Sequence, residues 1–159
     1  MIKLIHGDCL KKLKDIETQS IDLILTDPPY GTTQCKWDSI IPFEPLWKEL
    51  KRIIKDNGCI ALFAQDKFTA NLIYSNIKEH KYNLIWNKYL TSGYLNANRM
   101  PLRVHEDIVI FYNKQPTYNP QKSIGNKNHS VGNKNKPMTN KAYGKHIYKD
   151  NSENLGNLK

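Results

Sequence analysis

Hydrophobic and polar positions alternate along the chain with two periods, one typical of strands and one typical of helices. Short apolar runs predict strands at residues 2–6, 21–26, 59–64, 82–86 and 104–112. Apolar residues at three- and four-residue spacing predict helices at residues 9–16, 43–54 and 70–77. The resulting order, β-α-β-α-β-α-β-β, is typical of an α/β fold with a largely parallel sheet and helices on both faces.

Local signals refine these boundaries. Asp8 stands where an N-cap of the first helix is expected. The pair Asn57-Gly58 is expected to end the second helix. The run at residues 21–26 is nearly uninterrupted in its apolar character, which predicts a strand buried on both faces.

The quartet Asp27-Pro28-Pro29-Tyr30 directly follows the predicted strand 21–26. In parallel sheets, ligands bind just beyond the carboxyl ends of the strands. The two prolines lack backbone N–H groups and fix the backbone, so the turn is rigid and its carbonyls stay free as acceptors. The Asp27 carboxylate and a proline carbonyl form an acceptor pair beside the Tyr30 ring, which suits the exocyclic amine of a planar base. The other interpretation is an ordinary Pro-Pro loop.

Charge is distributed unevenly along the chain. The 159 residues carry 24 Lys+Arg and 15 Asp+Glu, a formal net charge of +9. Residues 113–159 hold nine lysines against Asp150 and Glu153, so most of the excess lies there. Lysines interleaved with aromatic residues and glycines suit a surface that follows a phosphate backbone. The alternative is a solvated, partly disordered tail.

Several classes of protein are excluded by composition. Three cysteines without a Cys-x-x-Cys spacing argue against a disulfide framework and a zinc knuckle. Histidines, cysteines and carboxylates do not combine at ligand spacing, so we expect no metal. No apolar run approaches the roughly 20 residues that span a bilayer, and the N-terminus lacks a signal-like stretch. The sequence predicts a cytoplasmic protein without a membrane partner.

Two segments carry a resemblance to a known family: Ile5-His6-Gly7-Asp8, and the stretch from Asp22 to Gly31 with its Asp-Pro-Pro-Tyr quartet. They resemble the amino-methylating DNA methyltransferases. Residues 84–88, 105–111 and 118–121 are similar to the beta-type subgroup of restriction-modification systems and phages. The resemblance covers residues 1–121 and implies a Rossmann-like methyltransferase sheet, S-adenosylmethionine as cofactor and double-stranded DNA as partner.

The resemblance also implies roles for single residues. Asp27, Pro28, Pro29 and Tyr30 would be catalytic, binding a base flipped out of the duplex, and Asp8 and Asp27 would contact the cofactor. An aromatic amine is a poor nucleophile, and acceptors at Asp27 and Pro28 would localise its lone pair for attack on a methyl group. Aspartate at the head of the quartet usually accompanies adenine N6 rather than cytosine N4. Lys88 and Glu106 have family counterparts, but we expect a solvated lysine and a surface carboxylate rather than catalytic roles.

One departure from the family changes the expectation. Beta-type members carry a Phe-x-Gly-x-Gly cofactor loop, which this sequence lacks. We therefore expect residues 1–112 to form a partial catalytic domain with an incomplete sheet, and residues 113–159 to belong to the target recognition region. Such a chain would be inactive alone and would need its missing C-terminal half or another subunit. The alternatives are a non-catalytic DNA-binding remnant and a release-factor-type protein glutamine methyltransferase.

Overall fold

Four strands and three helices build the first structural unit, residues 1–117. The computed structural model describes residues 2–121 and the backbone of residues 139–140 and 144–145. The helices are α1 (Cys9–Lys12), α2 (Phe43–Ile53) and α3 (Asp66–Ser75), and short 3-10 turns lie at Leu13–Asp15 and Tyr94–Asn96. The strands are β1 (Ile21–Thr26), β2 (Ile54–Ala64), β3 (His80–Ser92) and β4 (Arg103–Phe111).

The sheet has the strand order β1-β2-β4-β3. Strands β1 and β2 are parallel, whereas β4 is antiparallel to both β2 and β3. The α/β organisation agrees with the sequence pattern, but the described sheet is mixed where a largely parallel one was expected. The reason is that β4 follows β3 as a hairpin and then inserts beside β2 in the opposite direction.

One face of the sheet is covered by α2 and α3, and this layer holds the core. The buried side chains are Leu46, Trp47, Leu50, Ile60, Leu62, Ala64, Phe68, Leu72, Val109 and Phe111. On β2 and β4 they alternate, as expected for strands with one covered face. The Trp47 and Phe111 rings meet edge to face with centroids 4.8 Å apart, joining α2 to the sheet.

The opposite face of the sheet is open to solvent over much of its area. Leu23 and Leu25 on β1 are 55% and 59% exposed, and Leu84 and Trp86 on β3 are exposed as well. The prediction that β1 is buried on both faces is therefore wrong for the described structure. Both packed helices lie on the side of Ile24, Ile60 and Val109, and neither reaches the side of Leu23.

The strand predicted at residues 2–6 is also wrong, because these residues have no strand conformation. Ile2 and Leu4 are 90% and 92% exposed. A strand needs a hydrogen-bonding neighbour, and within the described sheet β1 pairs only with β2.

The helix predicted at residues 9–16 is divided into α1 and a 3-10 turn. Asp8 caps α1 as expected, since its carboxylate accepts a hydrogen bond from the Lys11 N–H at 3.3 Å. The Arg52 guanidinium donates to the carbonyls of Leu13 and Ile16 at 2.7 and 2.8 Å. One α2 side chain thus fastens this N-terminal segment to the body of the unit.

The second helix ends at Ile53 and β2 begins at once, so Asn57-Gly58 is not its end. Strands β1 and β2 pair at Ile21↔Ile54 and next at Leu23↔Cys59. Between these two pairs β2 has more residues than β1, so the extra β2 residues form an irregularity in the pairing. A Cβ at Gly58 would lie 2.6 Å from Ile54 Cγ1 and 3.0 Å from the Asp22 carbonyl oxygen. Glycine is needed there because two strands approach closely at an irregularity, not because a helix stops.

The second unit comprises residues 118–159. Its described strands are β5 (Thr139–Asn140) and β6 (Gly144–Lys145), which pair antiparallel. Most of the basic segment 113–159 lies outside the described residues, so its assignment to target recognition stays a prediction. In the part of the chain that the structure describes, no helix is long and apolar enough to cross a membrane.

Candidate active site

The Asp27 quartet lies at the edge of the sheet where the carboxyl ends of β1 and β2 meet. Thr26, the last residue of β1, pairs with Leu62, and Ala64 at the end of β2 pairs with Asp107. Because β4 is antiparallel, its amino-terminal part reaches the same edge. Trp86 pairs with Glu106, so the middle of β3 lies at the same level. All four strands therefore contribute residues to this end of the sheet, with β1 and β2 closest to Asp27.

Tyr30 holds the Asp27 carboxylate directly. Its hydroxyl donates a hydrogen bond of 2.6 Å to Asp27 Oδ1. The half-buried Tyr30 ring packs on the buried Phe68 ring of α3, with centroids 5.0 Å apart. Pro28 is buried and Pro29 half-buried, whereas Asp27 itself is exposed. The quartet is thus a turn anchored in the core that presents a carboxylate to solvent.

The Tyr30 hydroxyl remains protonated over the ordinary pH range. Burial, the hydrogen bond to Asp27, and the negative charges of Asp27 and Glu106 raise the pKa of Tyr30, in that order of importance. The hydroxyl therefore acts as a hydrogen-bond donor to Asp27 and not as a base. From the sequence we expected a stacking ring here, and the hydroxyl contact was not predicted.

A second carboxylate, Asp38, fixes the loop behind Tyr30. The backbone N–H groups of Gly31, Thr32 and Thr33 donate to it at 2.8, 2.9 and 2.7 Å. Burial alone would raise the pKa of the Asp38 carboxyl, but the bonds from Gly31, Thr33 and Thr32 outweigh it and lower the pKa to about 2. The sequence analysis did not identify Asp38. The available signal was the Gly-Thr-Thr run after the quartet, whose N–H groups need an acceptor.

Lys88 and Glu106 form an ion pair at the same edge. Lys88 Nζ lies 2.6 Å from Glu106 Oε1, and the Glu106 side chain is only 11% exposed. The Lys88 ammonium also lies 5.7 Å from the centroid of the Trp86 ring. A carboxylate this buried needs a partner, so the solvated surface interpretation of Glu106 is wrong.

A polar cleft of about 370 Å³ lies between the start of α3 and β4. Its lining residues are Gln65, Asp66, Thr69, Ala70, Ile73, Arg103, His105, Glu106 and Asp107. Thr69 Oγ1 donates to Asp107 Oδ2 at 3.0 Å, and the Arg103 guanidinium donates to the Gln65 and Asp66 side chains. The lining residue Asp107 pairs with Ala64 at the end of β2, so the cleft lies at the same end of the sheet as the quartet. Its volume is within the range of about 300–1,000 Å³ common for ligand pockets.

Asp8, the other residue expected at the cofactor, is exposed and caps α1. Its cofactor role stays a prediction. Among the described residues, no three histidine, cysteine, aspartate or glutamate side chains are placed to hold a metal ion.

The acceptor-rich turn lies where α/β proteins bind their ligands, just beyond the carboxyl ends of the strands. A family model described as DNA methylase, for N6 and N4 methyltransferases, matches residues 21–157. The chain belongs to this DNA methylase family. The match disfavours the protein glutamine methyltransferase alternative.

Curated relatives extend this likeness. The chain is 33% identical over 131 residues to the type II methyltransferase M.HpaI of Haemophilus parainfluenzae, covering 74% of this chain and 41% of that protein. It is 33% identical over 111 residues to M.HinfI of Haemophilus influenzae, covering 54% and 31%. Over 46 residues it is 46% identical to the DNA adenine methyltransferase YhdJ of Escherichia coli (strain K12), covering 29% and 14%. The chain therefore spans less than half the length of these relatives.

Solved structures show the same fold. The M1.HpyAVI–SAM complex superimposes with a TM-score of 0.58 at 20% identity, covering 77% of this chain and 61% of that one. The cytosine-N4-specific PvuII DNA methyltransferase gives a TM-score of 0.54 at 16% identity, covering 69% and 49%. The predicted α/β methyltransferase-type fold is confirmed.

Proposed function

We propose that this chain carries the base-binding part of a DNA amino-methyltransferase, which transfers a methyl group from S-adenosylmethionine to the N6 amine of adenine. The observation that carries the proposal is the Asp27 carboxylate, held by the Tyr30 hydroxyl at the carboxyl edge of the sheet. Adenine as target is supported by the aspartate at the head of the quartet and by the likeness to an adenine methyltransferase.

Tyr30 prepares Asp27 for the incoming base. Its hydroxyl occupies Oδ1, so Oδ2 is the oxygen that would accept a hydrogen bond from the base amine. The ring cannot turn away easily, because it packs on Phe68 in the core. Preorganised acceptors of this kind act without reorganisation during the reaction.

Asp27 and the Pro28 carbonyl then act on the amine together. Accepting its two protons favours a pyramidal nitrogen with a localised lone pair, which is the nucleophile that methyl transfer requires. The nitrogen must lose one proton as the new bond forms, and the Asp27 carboxylate is the acceptor within reach. The raised pKa of Tyr30 excludes the phenolate from that role at neutral pH.

S-adenosylmethionine supplies an electrophilic methyl group on a positively charged sulfur. Asp27 fits such a cation, since it is an exposed carboxylate at this edge. Asp27 would lie at the sulfonium end, and Asp8 is the further residue we assign to the cofactor.

The test is methyl transfer from tritiated S-adenosylmethionine to unmethylated genomic DNA. The chain is assayed alone and together with the part of M.HpaI that lies outside the aligned 41% of that protein. We expect Asp27→Asn to lower transfer at least a hundredfold. The matched control is Asp22→Asn, which removes an exposed carboxylate near the other end of β1, where it pairs with Lys55. No transfer in either reaction, or unchanged transfer by Asp27→Asn, would contradict the proposal.

A further inference from the structure

The β3–β4 hairpin projects beyond the edge that carries Asp27. Pairing continues past Trp86↔Glu106 to Ser92↔Arg103. At about 3.3 Å per residue, the three steps along β4 from Glu106 to Arg103 carry the hairpin about 10 Å past the edge. Residues 87–103, which we call the hairpin tip, therefore extend beyond the end of the sheet at which Asp27 lies.

The hairpin tip exposes an unusual number of large apolar side chains. The exposed residues are Tyr89 at 88%, Leu90 at 79%, Tyr94 at 74%, Leu95 at 81% and Met100 at 53%. Single exposed apolar residues are common on protein surfaces, but a cluster of this kind marks an interaction site.

The backbone of the tip holds these side chains outward. Between Asn87↔His105 and Ser92↔Arg103 the β3 strand has extra residues, so the chain bulges there. Tyr89 has φ +60, a conformation rare for a side-chain-bearing residue, and its N–H donates to Asn87 Oδ1 at 3.0 Å. Tyr94 and Leu95 lie in the 3-10 turn at the end of the hairpin. Strained backbone that displays apolar groups is typical of functional surfaces.

The base of the tip is fastened to the body of the unit. Arg103 donates to Gln65 and Asp66 at the start of α3, and Lys88 pairs with Glu106. These bonds fix the direction in which the hairpin leaves the sheet. Its apolar end therefore leaves the sheet at the same end as Asp27.

We propose that the hairpin tip is a wedge that inserts an apolar side chain into duplex DNA beside the base presented to Asp27. The inference rests on the proposed function, because a base amine reaches Asp27 only after its base leaves the stack. The gap that is left favours an apolar or aromatic filler, and apolar side chains inserted between base steps unstack and kink DNA. Duplex DNA also fits the arginine at position 99 within the tip.

The experiment compares binding to an intact 20-base-pair duplex and to the same duplex with one abasic site. An abasic site already has the gap, so binding there does not cost the unstacking of a base, and we expect the chain to bind the abasic duplex about tenfold more tightly. Two double variants remove the apolar side chains, Tyr89→Ala with Leu90→Ala and Tyr94→Ala with Leu95→Ala. The control is Tyr74→Ala, an 84% exposed tyrosine at the far end of α3.

Loss of the abasic preference in either double variant, with unchanged affinity for intact duplex and an unaffected control, supports the wedge and identifies its residues. The proposal is overturned if both double variants keep the preference, or if the unmodified chain shows none. It is also overturned if the variants change only the oligomeric state in sedimentation, since the tip would then contact another copy. The methyl-transfer assay with Asp27→Asn uses a different residue and readout, so failure of the wedge and failure of the proposed function are distinguishable.

Discussion

The Tyr30 hydroxyl donates a hydrogen bond to the Asp27 carboxylate across two prolines, with 2.6 Å between the oxygens. The prolines fix the turn, and the packing of Tyr30 on Phe68 fixes the ring. The backbone of the turn and the Tyr30 ring are therefore both held in place before a ligand binds. The quartet therefore works as one rigid unit, in which Tyr30 orients the carboxylate that would bind the amine.

We expect Tyr30→Phe to keep the fold and to lower methyl transfer about tenfold to a hundredfold. The phenyl ring preserves the contact with Phe68, but Asp27 loses the donor that orients it, and removing one preorganised hydrogen bond has effects of about this size or larger. The measurement is kcat together with the melting temperature. Tyr74→Phe, which changes an exposed tyrosine on α3, is the control. A variant with unchanged kcat would show that Tyr30 contributes only packing.

Asp38→Asn should destabilise the protein at neutral pH. It should also make the melting temperature depend less on pH in the acid range. The pKa of Asp38 is lowered to about 2 from an ordinary 3.8. A lowered pKa stabilises the folded state above the unfolded value, and this contribution is lost as the pH falls from about 4 towards 2. Melting temperatures between pH 7 and pH 2 should converge for the parent and the variant. Parallel curves would exclude a charged Asp38 as the anchor of the loop, and Asp22→Asn serves as the reference for an exposed carboxylate.

Arg52→Met should lower the free energy of unfolding by about 1.5–3 kcal/mol, as expected for lost hydrogen bonds to a charged group. The variant loses the hydrogen bonds that the Arg52 guanidinium donates to the carbonyls of Leu13 and Ile16, and it loses the ion pair with Glu49. Urea denaturation measures the change, and Lys48→Met on the exposed side of α2 is the matched control. Equal stability of the two variants would show that the N-terminal segment is held by packing alone.

Lys88→Met should reduce methyl transfer more than the double variant Lys88→Met with Glu106→Gln. The single change leaves Glu106 as an unpaired, largely buried carboxylate beside the Asp27–Tyr30 pair. The double change removes both charges and leaves a neutral amide. A double-mutant cycle on kcat and on stability measures the coupling. Additive effects of the two substitutions would exclude an interaction between these side chains.

Local patterns in the sequence determined the elements that the site is built on. The helical stripe near residues 43–54, the apolar runs in β1, β2 and β4, and the Asp8 cap depend on neighbours along the chain. The quartet was also readable, because prolines directly after a strand constrain the backbone wherever the strand lies. A residue's own neighbours were sufficient for all of these.

Tertiary structure decided what depends on residues far apart in the chain or on which face is covered. Lys88 and Glu106 meet only because β3 and β4 pair in one register. Residues 2–6 and the outer face of β1 have suitable patterns, but burial and pairing need partners that a single strand cannot specify. Gly58 marks a close approach between β1 and β2, where the sequence alone indicated a helix end. The hydrophobic pattern of a segment indicates which of its side chains can be buried. Whether they are buried, and against which residues, is determined by the tertiary packing.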